Sequence, residues 1–168
     1  ARLPALPGET PLVSDFTDHL STIFPEVRLK SFLEMRGADG GPWNRICALP
    51  ALWVGLLYDA DALAAAWDEA KGWSLEERQR LRDAVPKLGL RAETPAGESL
   101  HELGRRILAI AEGGLNRRAR LNESGDNESG FLDPLREVLA SGQTPAERLL
   151  ERYRGPWKGD VSPIYQEE

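Results

Sequence analysis

The amino-acid sequence predicts an α+β fold that is mostly helical, with one clear strand near its start. Residues 26–36 alternate between apolar and charged side chains, which is the period of a half-buried strand. Further along, residues that cap helices stand repeatedly just before apolar residues at helical spacing. Because a single strand cannot form a stable sheet, its partner strands are expected from a missing upstream part of the same chain or from another subunit.

Composition limits the size and the partners of the chain. Its 168 residues, 41% of them hydrophobic, are enough for one compact domain. The net charge of −6 argues against nucleic-acid binding, which needs an excess of Lys and Arg. With one cysteine and two histidines, any metal site would need carboxylate ligands. No apolar run is long enough for a membrane span and no signal pattern is present, so we expect no membrane contact and a cytoplasmic location.

The first part of the chain is predicted to contain an arm, a short helix and the strand. Three prolines favour an extended arm over residues 1–13, and Ser14 is the predicted cap of a helix that ends before Pro25. The strand over residues 26–36 places a charged set of side chains on one face, namely Arg28, Lys30, Phe32, Glu34 and Arg36. That face is too charged for a core and suits a polar cleft.

Residues 44–155 are predicted to be helical. The apolar segment 44–58 is expected to form one buried helix or two stacked ones, with Cys47 buried in it. An alanine-rich helix follows to about residue 70, capped by Asp59 or Asp61. Three later helices, one of them the longest, are predicted to begin with capping boxes at Ser74, Ser99 and Thr144.

Glu34 and Arg36 are the strongest candidates for chemistry. On a strand, residues two apart emerge on the same face, about 7 Å from each other. A carboxylate is a suitable ligand for Mg²⁺, and a guanidinium offers a fixed fork of donors to phosphoryl oxygens. The alternative is a solvated sheet face with cross-strand ion pairs, which an isolated Glu-x-Arg pattern favours.

Longer motifs surround this pair. They are Phe24-Pro-Glu-Val-Arg-Leu-Lys30, Leu33-Glu-Met-Arg-Gly-Ala-Asp-Gly-Gly-Pro-Trp43 and Trp53-Val-Gly-Leu-Leu-Tyr-Asp59. In order and spacing they resemble the glutamate-cysteine ligases of plants and proteobacteria, and the resemblance covers nearly the whole chain. It implies the carboxy-terminal part of such a ligase. The implied fold resembles glutamine synthetase, with a curved antiparallel sheet around the ligands and helices outside it.

The resemblance also implies an activity. Ligases of this family join the glutamate side-chain carboxylate to the cysteine amine through a γ-glutamyl phosphate, with ATP as substrate and Mg²⁺ as cofactor, in the first step of glutathione synthesis. By match of motif, Glu34 becomes a metal ligand and Arg36 a catalytic residue near the transferring phosphoryl group. Because the remaining ligands of the family lie upstream, this chain alone is expected to be inactive.

Three further residues are candidates for substrate or nucleotide binding, each with a structural alternative. Arg28 and Lys30 either contact substrate carboxylates and phosphates or pair with acids on a neighbouring strand. Trp43 either lines the cleft or belongs to a core. Outside these three, Asp39 either caps the glycine-rich turn over residues 37–43 or touches substrate. For the whole chain, the alternative to a ligase is a non-catalytic helical module with an interaction or regulatory role.

Overall fold

The computed structural model describes residues 7–38 and 40–167, and it divides into two compact units, Ala1–Gly40 and Gly41–Glu168. The boundary falls inside the predicted glycine-rich turn. Most of the described residues are helical, and a two-stranded antiparallel sheet accompanies the helices. The predicted α+β class is therefore confirmed at this level.

The amino-terminal unit contains one helix and two short strands: α1 (Val13–Ser21), β1 (Val27–Leu29) and β2 (Leu33–Met35). Helix α1 begins at Val13, one residue before Ser14, the predicted cap. Leu12 precedes the helix, and its N–H donates to the Asp15 carboxylate at 2.7 Å. None of the residues described in this unit is buried. The unit therefore has no hydrophobic core of its own among its described residues.

The prediction of one strand over residues 26–36 is wrong, because the chain reverses inside it. Strands β1 and β2 pair antiparallel with Arg28 opposite Glu34, and Lys30–Phe32 connects them. The Lys30 N–H donates to the Phe32 carbonyl at 2.8 Å in that connection. Alternation has the same period in one long strand and in a hairpin, and no Gly, Pro or Asn marks this turn. Residues opposite each other in a hairpin share a face, so the predicted division into two faces is kept.

The carboxy-terminal unit is helical. Its α-helices are α2 (Trp43–Ile46), α3 (Ala48–Leu57), α4 (Ala60–Ala70), α5 (Leu75–Leu88), α6 (Leu100–Arg118), α7 (Asp133–Ser141), α8 (Pro145–Arg154) and α9 (Ile164–Glu167), with 3-10 helices at Gly89–Arg91 and Glu128–Leu132. Within residues 7–38 and 40–167 no single helix is long and apolar enough to cross a membrane. Only α2–α3 taken together with α4, a pair bent by 94°, reach that length and composition.

Most helix starts lie where the capping residues predict them. The Asp59 carboxylate accepts the Ala62 N–H at 2.8 Å and begins α4. Ser74, Ser99 and Thr144 each form the predicted capping box. The apolar segment 44–58 forms two helices, which is one of the two predicted alternatives.

Cys47 lies between these two helices and is exposed, so its predicted burial is wrong. Helix α3 instead turns Ala48 and Ala51 inward, at 1% and 7% exposure. Cys47 is the residue that joins α2 to α3 and belongs to neither helix.

The core of the carboxy-terminal unit lies between α3 and α6 and includes Leu115 and Leu132, both fully buried. Two glycines allow the helices to approach closely. A Cβ added at Gly114 would lie 2.0 Å from the Gly55 carbonyl oxygen, and one added at Gly55 would lie 2.3 Å from the Ala111 carbonyl oxygen. Any side chain at either position would therefore push the two backbones apart.

Candidate functional site on the amino-terminal hairpin

Four of the five predicted site residues lie on one face of the hairpin. The β1–β2 register places Arg28 opposite Glu34. The Arg36 N–H donates to the Glu26 carbonyl at 2.8 Å, which continues the antiparallel pairing beyond β2. Because side chains alternate along each strand, Lys30 and Arg36 share the face of Arg28 and Glu34.

Glu34 forms an ion pair across the hairpin. The Arg28 Nε donates to Glu34 Oε2 at 2.7 Å, and the two side chains are 31% and 32% exposed. This hydrogen bond is the main cause that lowers the pKa of Glu34, and the charges of Arg28, Lys30 and Arg36 lower it further. In this structure Arg28 therefore pairs with an acid on the neighbouring strand, and its contact with a substrate stays a prediction.

Arg36 makes a different set of contacts. Its guanidinium carbon lies over the Phe24 ring, 4.3 Å from the ring centroid. Its Nη1 is buried and has no hydrogen-bond partner among the described residues. A buried donor without a partner is costly, so this nitrogen is a strong candidate for contact with an anionic ligand.

The described residues do not by themselves make a metal site. In residues 7–38 and 40–167 no three His, Cys, Asp or Glu side chains come close enough to hold a metal ion. Glu34 is bound to Arg28, and Lys30 and Arg36 add positive charge close to it. One carboxylate among three cations suits an anion better than Mg²⁺, which prefers several oxygen ligands.

The remaining candidates lie apart from this group. Trp43 belongs to the carboxy-terminal unit, begins α2 and is 85% exposed, so it is not a core residue there. Asp39 lies outside the described residues. Phe24 could not be identified from the sequence, because no linear pattern relates a residue before β1 to a side chain after β2.

Three cations and one carboxylate therefore share this half-buried face, which carries a net positive charge. Comparison with known proteins gives the family. The model of glutamate-cysteine ligase family 2 (GCS2) matches residues 7–167, and the chain belongs to this family. The resemblance inferred from the motifs is thereby confirmed.

Individual relatives agree with this assignment. Over 166 residues the chain is 50% identical to the chloroplastic glutamate-cysteine ligase of Solanum lycopersicum and 51% identical to that of Arabidopsis thaliana. It is likewise 50% identical to the chloroplastic glutamate-cysteine ligase A of Oryza sativa subsp. indica. These matches cover 99% of this chain but 30%, 30% and 32% of the relatives. The chain thus spans about a third of the length of the curated relatives it matches.

The comparison corrects one prediction. A cytoplasmic location was predicted from the missing apolar span and signal pattern, but the relatives are named as chloroplastic proteins, so that prediction is wrong. The absence of a span and of a signal pattern in these residues does not distinguish one compartment from another.

Proposed function

We propose that this chain forms part of an ATP-dependent glutamate-cysteine ligase and that its hairpin face supplies cations to the site of phosphoryl transfer. The observation that carries the proposal is the Arg36 guanidinium. It has a buried donor without a partner among the described residues, on a charged face, in a chain that matches the ligase family over residues 7–167.

The proposed reaction has two steps. A carboxylate oxygen of the glutamate side chain attacks the γ-phosphorus of ATP, the bond to the bridging oxygen breaks, and ADP leaves. The cysteine amine then attacks the acyl carbon, phosphate departs with the electrons of the C–O bond, and the nitrogen loses a proton. Negative charge on the transferring group is the main obstacle in the first step, and fixed positive groups stabilise it.

Within this scheme each charged residue of the hairpin has a separate task. Arg36 donates to the phosphoryl oxygens, and Lys30 contributes charge from the same face. Arg28 binds Glu34 Oε2 at 2.7 Å, which partly neutralises the carboxylate and weakens its attraction for Arg36. The role of Glu34 as a magnesium ligand stays a prediction, and no step is derived through the metal, since the described residues do not form a site for it.

The proposal also requires the amino-terminal unit to be completed by further polypeptide. Large apolar side chains are exposed on its helix and on the second face of the hairpin, including Phe16, Leu20, Leu29 and Leu33. A segment of this size cannot bury enough surface to be stable by itself. We propose that other strands of a glutamine-synthetase-like sheet cover it in a protein of the relatives' length, and that the isolated chain is inactive.

The alternative, a non-catalytic helical module, is favoured by one observation. The carboxy-terminal unit has its own core around Leu115 and Leu132. That reading leaves the charged hairpin face unexplained.

A ligase chimaera would test the proposal. In it, the 166 residues of the Arabidopsis thaliana relative that match this chain are replaced by those of this chain. We expect ATP-dependent formation of γ-glutamylcysteine by the chimaera. Arg36→Ala should raise the barrier by about 3 kcal/mol, which is a loss of roughly 100-fold in turnover.

The matched control is Arg120→Ala, which removes an exposed arginine of the carboxy-terminal unit and should leave turnover unchanged. Near-normal turnover of the Arg36→Ala chimaera would contradict the proposed role. Turnover by the isolated chain would show that the hairpin does not need further polypeptide.

A further inference from the structure

We infer that Phe24 is a positioning residue for Arg36: its ring holds the guanidinium in place so that the nitrogen without a partner faces the anionic ligand. The inference rests on the proposed function of Arg36 and goes beyond it by identifying the residue that orients the catalytic group.

The contact between these residues is close. The Arg36 guanidinium carbon lies 4.3 Å from the centroid of the Phe24 ring. In the described residues the other pairs of a cation and a ring are longer, at 5.8 Å for Lys30 and Phe32, 5.5 Å for Arg118 and Tyr58, and 5.9 Å for Arg152 and Trp157. Attraction between a cation and a ring falls with distance, so the pair of Phe24 and Arg36 is the strongest of these.

Packing does not account for the position of Phe24. Its side chain is 71% exposed, in the connection between α1 and β1, and no residue described in this unit is buried. A core aromatic would be surrounded by other apolar side chains. The interaction that the structure gives to this ring is the one with Arg36.

A ring also suits the task chemically. It attracts the guanidinium through its π face and accepts no conventional hydrogen bond, so the N–H donors of the arginine stay available. This agrees with the Nη1 atom, which is buried and has no hydrogen-bond partner among the described residues. A carboxylate in place of the ring would hold Arg36 equally well but would use up the donors that a ligand needs.

The ring also keeps the Arg36 guanidinium away from Glu34, which competes with the ligand for its donors. Glu34 lies two residues before Arg36 on the same face, and the charge of Arg36 already contributes to the lowered pKa of Glu34. The bond from Arg28 occupies that carboxylate on one side of the hairpin, and the ring of Phe24 holds Arg36. Without the ring, the flexible side chain of Arg36 would be free to turn toward Glu34 and use its donors in an internal ion pair.

The test uses the ligase chimaera. A cation over an exposed ring contributes about 1 kcal/mol, so Phe24→Leu should lower kcat about fivefold with little change in KM. Phe24→Trp keeps a ring face and should restore kcat to within about twofold of the unaltered chimaera. Phe131→Leu makes the same substitution at an exposed position of the carboxy-terminal unit and should leave kcat and KM unchanged.

A double variant separates positioning from general structure. In the Arg36→Ala background, Phe24→Leu should cause no further loss, because the group that the ring positions is already absent. An equal loss in both backgrounds, an equal loss in Phe131→Leu, or an unchanged kcat in Phe24→Leu would overturn the inference. If Arg36→Ala itself retains near-normal turnover, the proposed function fails. If Arg36→Ala loses turnover but Phe24→Leu keeps it, only this inference fails.

Discussion

The close approach of α3 and α6 predicts that two neighbouring glycines respond in opposite ways to the same substitution. A Cβ at Gly114 would lie 2.0 Å from the Gly55 carbonyl oxygen and 3.1 Å from the Ala62 Cβ. A Cβ at Gly113, the preceding residue of the same helix, would meet the end of the Arg117 side chain at 3.3 Å. Backbone cannot move aside without moving its helix, whereas the end of an arginine side chain can.

The magnitude follows from the clash. Ordinary contact begins near 3.4 Å, so Gly114→Ala requires α3 and α6 to separate by about 1.4 Å. Overpacking of this kind costs about 3 kcal/mol, and the better helix propensity of Ala returns only about 1 kcal/mol. A net loss of about 2 kcal/mol should lower the melting temperature by roughly 10 °C in a unit of this size. Gly113→Ala gains the propensity without the clash, so its melting temperature should stay the same or rise.

Thermal unfolding of the purified chain, followed by helical circular dichroism, is the assay. Both variants and the unaltered chain are compared at equal concentration and at neutral pH. The reasoning would be refuted by a Gly114→Ala variant that melts within about 2 °C of the unaltered chain, or by equal shifts in the two variants.

Two further predictions concern the same unit. Leu115 is fully buried, so Leu115→Ala should lower the free energy of unfolding in urea by about 3 kcal/mol. Leu121 is 65% exposed, so Leu121→Ala should lower it by less than about 0.5 kcal/mol. Equal losses in the two variants would contradict the assigned core. The hydrogen bonds from Arg117, and then from the Ala62 N–H, lower the pKa of Asp59 from an ordinary 3.8 to about 2. The depressed pKa of Asp59 contributes stability that is present above about pH 4 and is lost as the pH falls toward 2. Asp59→Asn should therefore melt at a lower temperature than the unaltered chain at pH 7, and this difference should shrink on acidification. A difference that does not shrink between pH 4 and pH 2.5 would show that the Asp59 carboxylate is not held in this way.

The helices of the carboxy-terminal unit could be predicted because their signals are local. A capping box involves residues three apart, and Ser99 with Glu102 forms the same hydrogen bonds in almost any context. The exposure of Cys47 could not be predicted in the same way. Which side of an apolar helix faces the core depends on the neighbouring helix, and α6 contacts the face of Ala48 and Ala51.

In the candidate site, too, the features set by local spacing could be predicted, and those set by the position of the turn could not. That Arg28, Lys30, Glu34 and Arg36 share a face follows from the even spacing of their positions, which gives the same result for one strand and for the observed hairpin. That Arg28 pairs with Glu34 depends on where the chain turns, and no residue at Lys30–Phe32 signals a turn.

The charged face and the hydrophobic core belong to different units, and this determines what each experiment can measure. The amino-terminal unit holds the charged face but has no buried residue among those described, whereas the carboxy-terminal unit holds the core. Cooperative unfolding requires a core, so melting of the isolated chain should report on the carboxy-terminal unit alone. Arg36→Ala and Phe24→Leu should then leave that melting temperature unchanged while they lower the turnover of the ligase chimaera. A fall in the melting temperature of the isolated chain in either variant would show that the hairpin contributes to the folded core, and the loss of turnover could then no longer be assigned to chemistry.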